Sequence, residues 1–189
     1  MSAEPAYVPP MTASPLTAEE LQYLHLPDKH AELVKGVLIV REPPGGRHGQ
    51  VVMELGRLVA NHVADHGLGM VYAADTGFTL RRNPDTVRAP DVAFVRRERF
   101  PKIAPTGYPD LAPDLVIEVL SPGDRPGETL AKVADWLTAG TRLVWVIDPD
   151  RRSARVYRED GTETTVTADE SLDGENVLPD FSCPLRAIL

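Results

Sequence analysis

Ala112-Pro-Asp-Leu-Val-Ile-Glu-Val-Leu-Ser-Pro122 decides how this chain is read. Residues 115–120 form a continuous apolar run broken only by Glu118, the pattern of a central strand covered on both faces. A carboxylate inside such a strand is costly unless it holds a metal or pairs with a cation. Downstream, Ser121-Pro-Gly-Asp-Arg-Pro126 turns the chain into a helix over 127–139 that carries Lys132 and ends at Gly140. A second apolar strand follows at 142–147. Strand, helix and strand at this spacing predict a βαβ crossover and an α/β fold. Upstream, Ala89-Pro-Asp-Val-Ala-Phe-Val95 predicts another strand over 91–95.

Strand geometry sorts the acids. Side chains alternate faces, so Asp114, Val116, Glu118 and Leu120 share one side. Asp114 and Glu118 are then separated by about 13 Å along the strand, too far to share one cation whose oxygen ligands sit at about 2.0–2.6 Å. Asp91 lies on another strand. Opposed residues on paired strands stand about 4.5–5.5 Å apart, so Asp91 reaches the cation held by Glu118 if the two strands are neighbours. Asp91 and Glu118 are therefore the expected metal pair. Asp91 and Asp114 each follow a proline, and a turn or strand-start role is the alternative. On the helical wheel Leu130, Val133, Trp136 and Leu137 form the apolar face. Lys132 falls on its border, a place where the stem packs and the amine points sideways into a cleft. A solvated helix lysine is the other reading.

The outer elements are simpler. The first 15 residues are rich in Pro, Ala and Ser, and residues 1–16 are expected to be a mobile arm, with one domain over 17–189. Thr17-Ala-Glu-Glu20 fits a capping box opening a short helix through Leu24. Residues 31–34 and 37–41 suggest a hairpin around Lys35-Gly36. Residues 48–66 have helical periodicity, ended by Gly67 and Gly69. Strands are expected at 70–74 and 77–81, a polar loop at 97–113, strands at 153–158 and 162–167, and a mixed tail at 176–189 that packs back.

Composition narrows the class. The 189 residues carry a net charge of −8 and one cysteine, Cys183. An intrachain disulfide and a four-cysteine zinc site are excluded, and a reducing cytoplasm is the expected compartment. No apolar run is long enough to span a bilayer. The charge argues against tight, non-specific nucleic-acid binding but not against a nuclease. Arg81, Arg82, Arg88, Arg96, Arg97 and Arg99 suggest a local basic cluster around Pro90-Asp91.

Together, Arg88-Ala-Pro-Asp-Val-Ala-Phe-Val95, Pro113-Asp-Leu-Val-Ile-Glu-Val-Leu-Ser-Pro122, Lys132 and Leu143-Val-Trp-Val-Ile-Asp-Pro-Asp-Arg151 resemble the Uma-type restriction endonucleases of the PD-(D/E)xK nuclease superfamily. Ala31-Glu-Leu-Val-Lys-Gly36 and Pro43-Pro-Gly-Gly-Arg-His48 match the same pattern, so the resemblance covers about residues 17–189. It implies a restriction-endonuclease-like core with a mixed central β-sheet flanked by helices. It implies Asp91 as the motif aspartate, Glu118 as the second acid and Lys132 as the catalytic lysine. The position two after Glu118 is Leu120, so the lysine role has moved to the helix. Glu32 matches a position of the same pattern, and a third acid near the metal is one reading of it. His48 matches too, either facing the cleft or serving as a satisfied core or capping histidine. The implied activity is Mg²⁺-dependent hydrolysis of DNA phosphodiesters, with Mn²⁺ as a possible substitute and a homodimer expected because duplex cleavage needs two sites.

Two other classes compete. His62-Val-Ala-Asp-His66 has a zinc-ligand spacing but lacks an evident third ligand. A non-catalytic nuclease-fold binding or assembly module is the main alternative. Pro43-Pro-Gly-Gly-Arg-His48 lacks the Gly-Lys-Ser/Thr ending of a phosphate-cradling loop.

Overall fold

The βαβ unit forms the centre of the molecule. β7 (Leu115–Val119) runs parallel to β8 (Leu143–Asp148), with Val116 opposite Val144 and Glu118 opposite Val146. α3 (Pro126–Thr138) connects them. β6 (Val92–Arg96) pairs antiparallel with β7, and β3 (Gly69–Ala73) pairs with β6. β9 (Ser153–Arg158) and β10 (Glu163–Thr167) extend the other side by antiparallel pairing. The six-stranded order β10-β9-β8-β7-β6-β3 is a mixed sheet, as expected. The structure, a computed structural model, describes residues 14–102 and 106–189. Nearly all of the expected arm at 1–16, and part of the expected loop at 97–113, lie outside the described residues.

Each face of this sheet meets a helix. α2 (Gly46–His66) lays Val51, Leu55, Val59 and Val63 against Phe94, Leu115, Ile117 and Trp145. Its end is fixed by Gly67 at φ +61°, a left-handed conformation that closes the helix. α3 buries Val133 and Trp136 against Ala93, Val116, Val144 and Val146 on the opposite face. Strand alternation thus sends odd and even positions of β7 to different cores, and places Glu118 on the α3 side. Leu130 departs from the wheel reading. It is 46% exposed, because the apolar stripe that reaches the sheet is formed by Val133, Trp136 and Leu137.

A second sheet, in the order β2 (Val37–Arg41), β1 (His30–Val34), β5 (Thr86–Arg88) and β4 (Phe78–Arg81), covers part of this core. β1 (His30–Val34) and β2 (Val37–Arg41) are the expected hairpin. Lys35 and Gly36 both have positive φ, +51° and +78°, the twist-matched two-residue turn. The capping box at Thr17 forms and opens α1 (Ala18–Tyr23). β4 (Phe78–Arg81) was expected, but β5 (Thr86–Arg88) was not, since three residues are too few to show a period. The tail packs back through a small hairpin, β11 (Ser171–Asp173) with β12 (Ser182–Pro184), burying Leu172, Leu178 and Leu185.

Candidate active site

Val92 opposes Ile117 across the β6–β7 ladder. One further step of that register sets Asp91 beside Glu118, the neighbour relation that cation sharing requires. Asp91, Glu118, Lys132, Glu32 and His48 all line one cavity of about 560 Å³. Asp91 immediately precedes β6, Glu118 lies on the adjacent β7, the lysine comes from α3, Glu32 from β1 and His48 from the first turn of α2.

The contacts are close. Lys132 Nζ donates to Glu118 Oε2 at 2.8 Å and to the Ala89 carbonyl at 3.2 Å, and lies 3.1 Å from Glu32 Oε1. Trp136 Nε1 donates to Glu118 Oε1 at 3.0 Å. The Val119 N–H donates to Asp91 Oδ2 at 2.7 Å, and His48 Nε2 lies 3.3 Å from the same oxygen. Asp91 Oδ1 takes no part in either contact. Glu32 accepts from Arg88 Nη1 at 2.8 Å and from the Ala89 N–H at 2.9 Å. Arg88 in turn forks onto Asp135 Oδ2 through Nε at 3.0 Å and Nη2 at 2.6 Å.

Charge is unevenly compensated. Burial pushes the Glu118 carboxyl up; Lys132 opposes this, but Asp91 and Glu32 add to it, and the group titrates at about 7. Burial works against the Lys132 ammonium, yet Glu118 and Glu32 together hold it above the usual lysine range. The two effects are consistent because one lysine serves two carboxylates. The lysine has more negative charge around it than it needs, and Glu118 has less positive charge. Burial would raise Glu32, but Lys132 and Arg88 outweigh it and hold Glu32 below its ordinary value. Burial lowers His48, and contact with Asp91 more than restores it, so its affinity for a proton rises.

The donor set suits a hard divalent cation. Mg²⁺ keeps several waters and needs only one or two protein carboxylates plus substrate oxygens. Asp91 and Glu118 offer two, on one side of the cavity, with the under-compensated charge of Glu118 between them. His48 Nδ1 is buried without a hydrogen-bond partner at the same place. Among the described residues no group of three or more His, Cys, Asp and Glu side chains is arranged to enclose an ion.

Other expected features fall elsewhere. Asp114 sits at the opposite end of β7, where its Oδ2 accepts from the Arg96 N–H at 3.0 Å and lies 3.0 Å from Arg99 Nη1. The basic cluster around Pro90-Asp91 does not assemble. Arg88 turns into the protein, Arg82 binds Glu19, Asp85 and Asp110, and Arg96 and Arg99 flank Asp114. Each is drawn to a carboxylate from another element. The cavity mouth carries Glu42, Asp75, Asp124 and Glu128, and Arg41 there is tied to Asp124 and Glu128. His62 and His66 are engaged by backbone carbonyls, those of Pro179 and His62, each at 2.9 Å.

Three contributors escaped the sequence reading: Arg88, Asp135 and Trp136's indole N–H. Signals existed. Asp135 and Trp136 lie three and four residues after Lys132, hence on its side of α3, and Arg88 directly precedes Ala89-Pro-Asp91.

A mixed sheet between two helices, with an acid pair at adjacent strands and a helix-borne lysine, defines a restriction-endonuclease-like α/β core. Residues 18–186 match the model of the Uma2 family, described as "Putative restriction endonuclease", and the chain belongs to that family. The fold is similar to the crystal structure of "a putative nuclease belonging to DUF820 from Anabaena variabilis ATCC 29413", with a TM-score of 0.78 and 22% identity over 92% of this chain and 97% of that one. No curated protein matches the chain. Among the described residues, no helix is long and apolar enough to cross a membrane.

Proposed function

We propose that the protein is a divalent-cation-dependent endonuclease that hydrolyses phosphodiester bonds in DNA. The observation that carries this reading is the convergence of Asp91, Glu118 and Lys132 in one cavity, with Lys132 Nζ 2.8 Å from Glu118. Family membership supports the nuclease class. Asp91 and Glu118 would hold Mg²⁺, or Mn²⁺ in its place. That ion would supply charge neutralisation at the scissile phosphate and a bound water of lowered pKa.

The protein's own groups do the rest. The Val119 N–H and His48 fix one oxygen of Asp91 and leave the other available. The Trp136 indole holds Glu118 Oε1, which sets the plane of that carboxylate. Lys132 brings a positive charge to the edge of the acid pair, where it stabilises negative charge developing on phosphate oxygens. Lys132 hydrogen-bonds Glu118 and the Ala89 carbonyl and pairs with Glu32, so release of the 3.2 Å bond to the neutral Ala89 carbonyl frees a donor for substrate at least cost. A symmetric dimer would cut both strands of a duplex.

The test is cleavage of supercoiled plasmid and single-stranded DNA with Mg²⁺ or Mn²⁺. Wild type should nick, and Asp91→Ala and Glu118→Ala should not. A double mutant no worse than either single mutant would show the acids acting as one unit. Failure of wild type to cleave either substrate, with no cation bound in calorimetry, would replace this reading with a non-catalytic binding module, which the acidic mouth of the cavity also suits.

A further inference from the structure

The nuclease reading uses Asp91, Glu118 and Lys132, and leaves a buried arginine behind them without a role. Arg88 is only 6% exposed and lies on the short strand β5. Its fork grips Asp135, and its remaining terminal nitrogen holds Glu32 Oε2 at 2.8 Å. Glu32 presents its other oxygen to the Ala89 N–H at 2.9 Å and to Lys132 Nζ at 3.1 Å. Lys132 and Asp135 sit three residues apart on α3, on one side of the helix. The chain Asp135–Arg88–Glu32–Lys132 therefore closes on itself. It ties both ends of the contact to α3 and its middle to the second sheet.

Glu32 is fully committed. Both of its oxygens face donors, and every donor belongs to this loop of contacts. Asp91 differs, since its Oδ1 is outside the contacts that fix Oδ2, and Glu118 differs because each of its oxygens takes a single donor, Lys132 on Oε2 and Trp136 on Oε1, whereas Glu32 Oε1 faces two. A carboxylate saturated by Arg88, Ala89 and Lys132 has little left to offer a cation. We infer that Glu32 belongs to the lysine and not to the metal, and that Arg88, clamped by Asp135, is a positioning residue that acts through Glu32 to fix Lys132 Nζ beside Glu118. The catalytic consequence of this rests on the nuclease reading; the geometric claim does not.

A guanidinium is needed because the geometry is a fork. Two donors satisfy one Asp135 oxygen while a third points to Glu32, which a lysine ammonium cannot reproduce at both ends. Without Arg88, Glu32 loses its anchor. It then moves with Lys132, and the ammonium leaves its place between Glu118 and the Ala89 carbonyl. Displacement of a catalytic group by about 1 Å costs up to roughly 100-fold in rate.

The experiment compares wild type, Arg88→Met, Arg88→Lys, Glu32→Gln and the Arg88→Met/Glu32→Gln double mutant, each verified as folded by its urea transition. Three readouts are used: the ¹⁵N-ammonium resonance of Lys132, identified by its absence in Lys132→Met; Mn²⁺ affinity by calorimetry; and kcat for plasmid nicking. The expected result is loss or marked shift of the Lys132 resonance in both Arg88 variants and in Glu32→Gln. Mn²⁺ affinity should change by less than about threefold, and kcat should fall roughly 10- to 100-fold. The double mutant should be no slower than Glu32→Gln, because Arg88 has nothing left to act through. Arg88→Lys covers the case in which Arg88→Met does not fold. Weakening of Mn²⁺ by more than tenfold in Glu32→Gln would overturn the inference by making Glu32 a ligand. An unchanged Lys132 resonance in the Arg88 variants would overturn it as well. If wild type does not cleave DNA, the nuclease reading fails, while the resonance and Mn²⁺ arms still decide the positioning role.

Discussion

Lys132→Met gives the sharpest physical test of the site. The substitution keeps the stem and removes the ammonium. It strands Glu118, which is 8% exposed, and Glu32, 5% exposed, and it takes a donor from the Ala89 carbonyl. Glu32 retains Arg88, but Glu118 retains only the Trp136 N–H. Removing one partner of a buried ion pair costs about 3–5 kcal/mol. The cost should depend on pH, because a buried carboxyl without its cation escapes by binding a proton. The folded-state pKa of Glu118 is already raised to about 7, and losing Lys132 raises it further. The folded protein then binds a proton that the unfolded chain releases above its ordinary carboxyl value. Stability of the variant should therefore rise as pH falls through that raised value, and the penalty should be larger at pH 8 than at pH 5.5. Adding Glu118→Gln removes the stranded charge and should recover about 1–3 kcal/mol. Urea unfolding with a chelator present, at both pH values and with the slope m checked for constancy, measures all of this. A penalty below about 1 kcal/mol at pH 8, or strict additivity in the double mutant, would mean that the ammonium is solvated and the buried pair is not formed.

Four further outcomes follow from the same contacts. In wild type stripped of cations, the raised Glu118 carboxyl makes the protein gain stability as pH drops from about 7 toward the ordinary carboxyl range, and Glu118→Gln should flatten that part of the profile in urea titrations. Asp85 has the opposite sign: burial opposes its charge, but the Ala18 and Asn83 N–H groups and Arg82 hold it below the usual range, so its contribution is present above the unfolded value and lost as pH falls through the lower folded one. Asp85→Ala should cost about 1–3 kcal/mol by chemical denaturation and free the N-terminus of α1 to fray. Trp136→Phe keeps the ring and deletes the donor to Glu118, at about 1–3 kcal/mol, with slower nicking expected if carboxylate orientation matters. Leu55→Ala, at a fully buried position of α2, should cost about 2–5 kcal/mol in the same assay without altering Mn²⁺ affinity.

The central βαβ unit was legible because burial on both faces leaves a single strong signature, an apolar run with one misplaced acid. From Glu118 the strand period excluded Asp114, and the expectation that the Asp91 strand is its neighbour is met by the antiparallel ladder of Val92 with Ile117, which sets the two acids side by side. Lys132 was legible from its place at the border of an apolar stripe. Its partners were not, because a helical wheel names a direction and not what lies there. Arg88 shows why: in sequence it stands among Arg81, Arg82, Arg96, Arg97 and Arg99 and reads as one more surface cation. Its burial depends on β5, which pairs with β1 and β4 through only a few residues. Such a strand has no period of its own and exists because the hairpin β1–β2 needs a neighbour.

The same logic explains the electrostatics. Arginines spread along β4, β5 and β6 were expected to face a polyanionic substrate together, but alternation along strands sends neighbouring positions to opposite sides. Acids of α1, β1, α3 and the loops then hold Arg82, Arg88, Arg96 and Arg99. What remains at the cavity is an excess of carboxylate over ammonium, with Arg41 at the mouth already paired to Asp124 and Glu128. On the nuclease reading, a site built this way would favour a divalent cation over a bare phosphate. On that reading, a phosphodiester would enter accompanied by the cation, or by displacing an acid from Arg41.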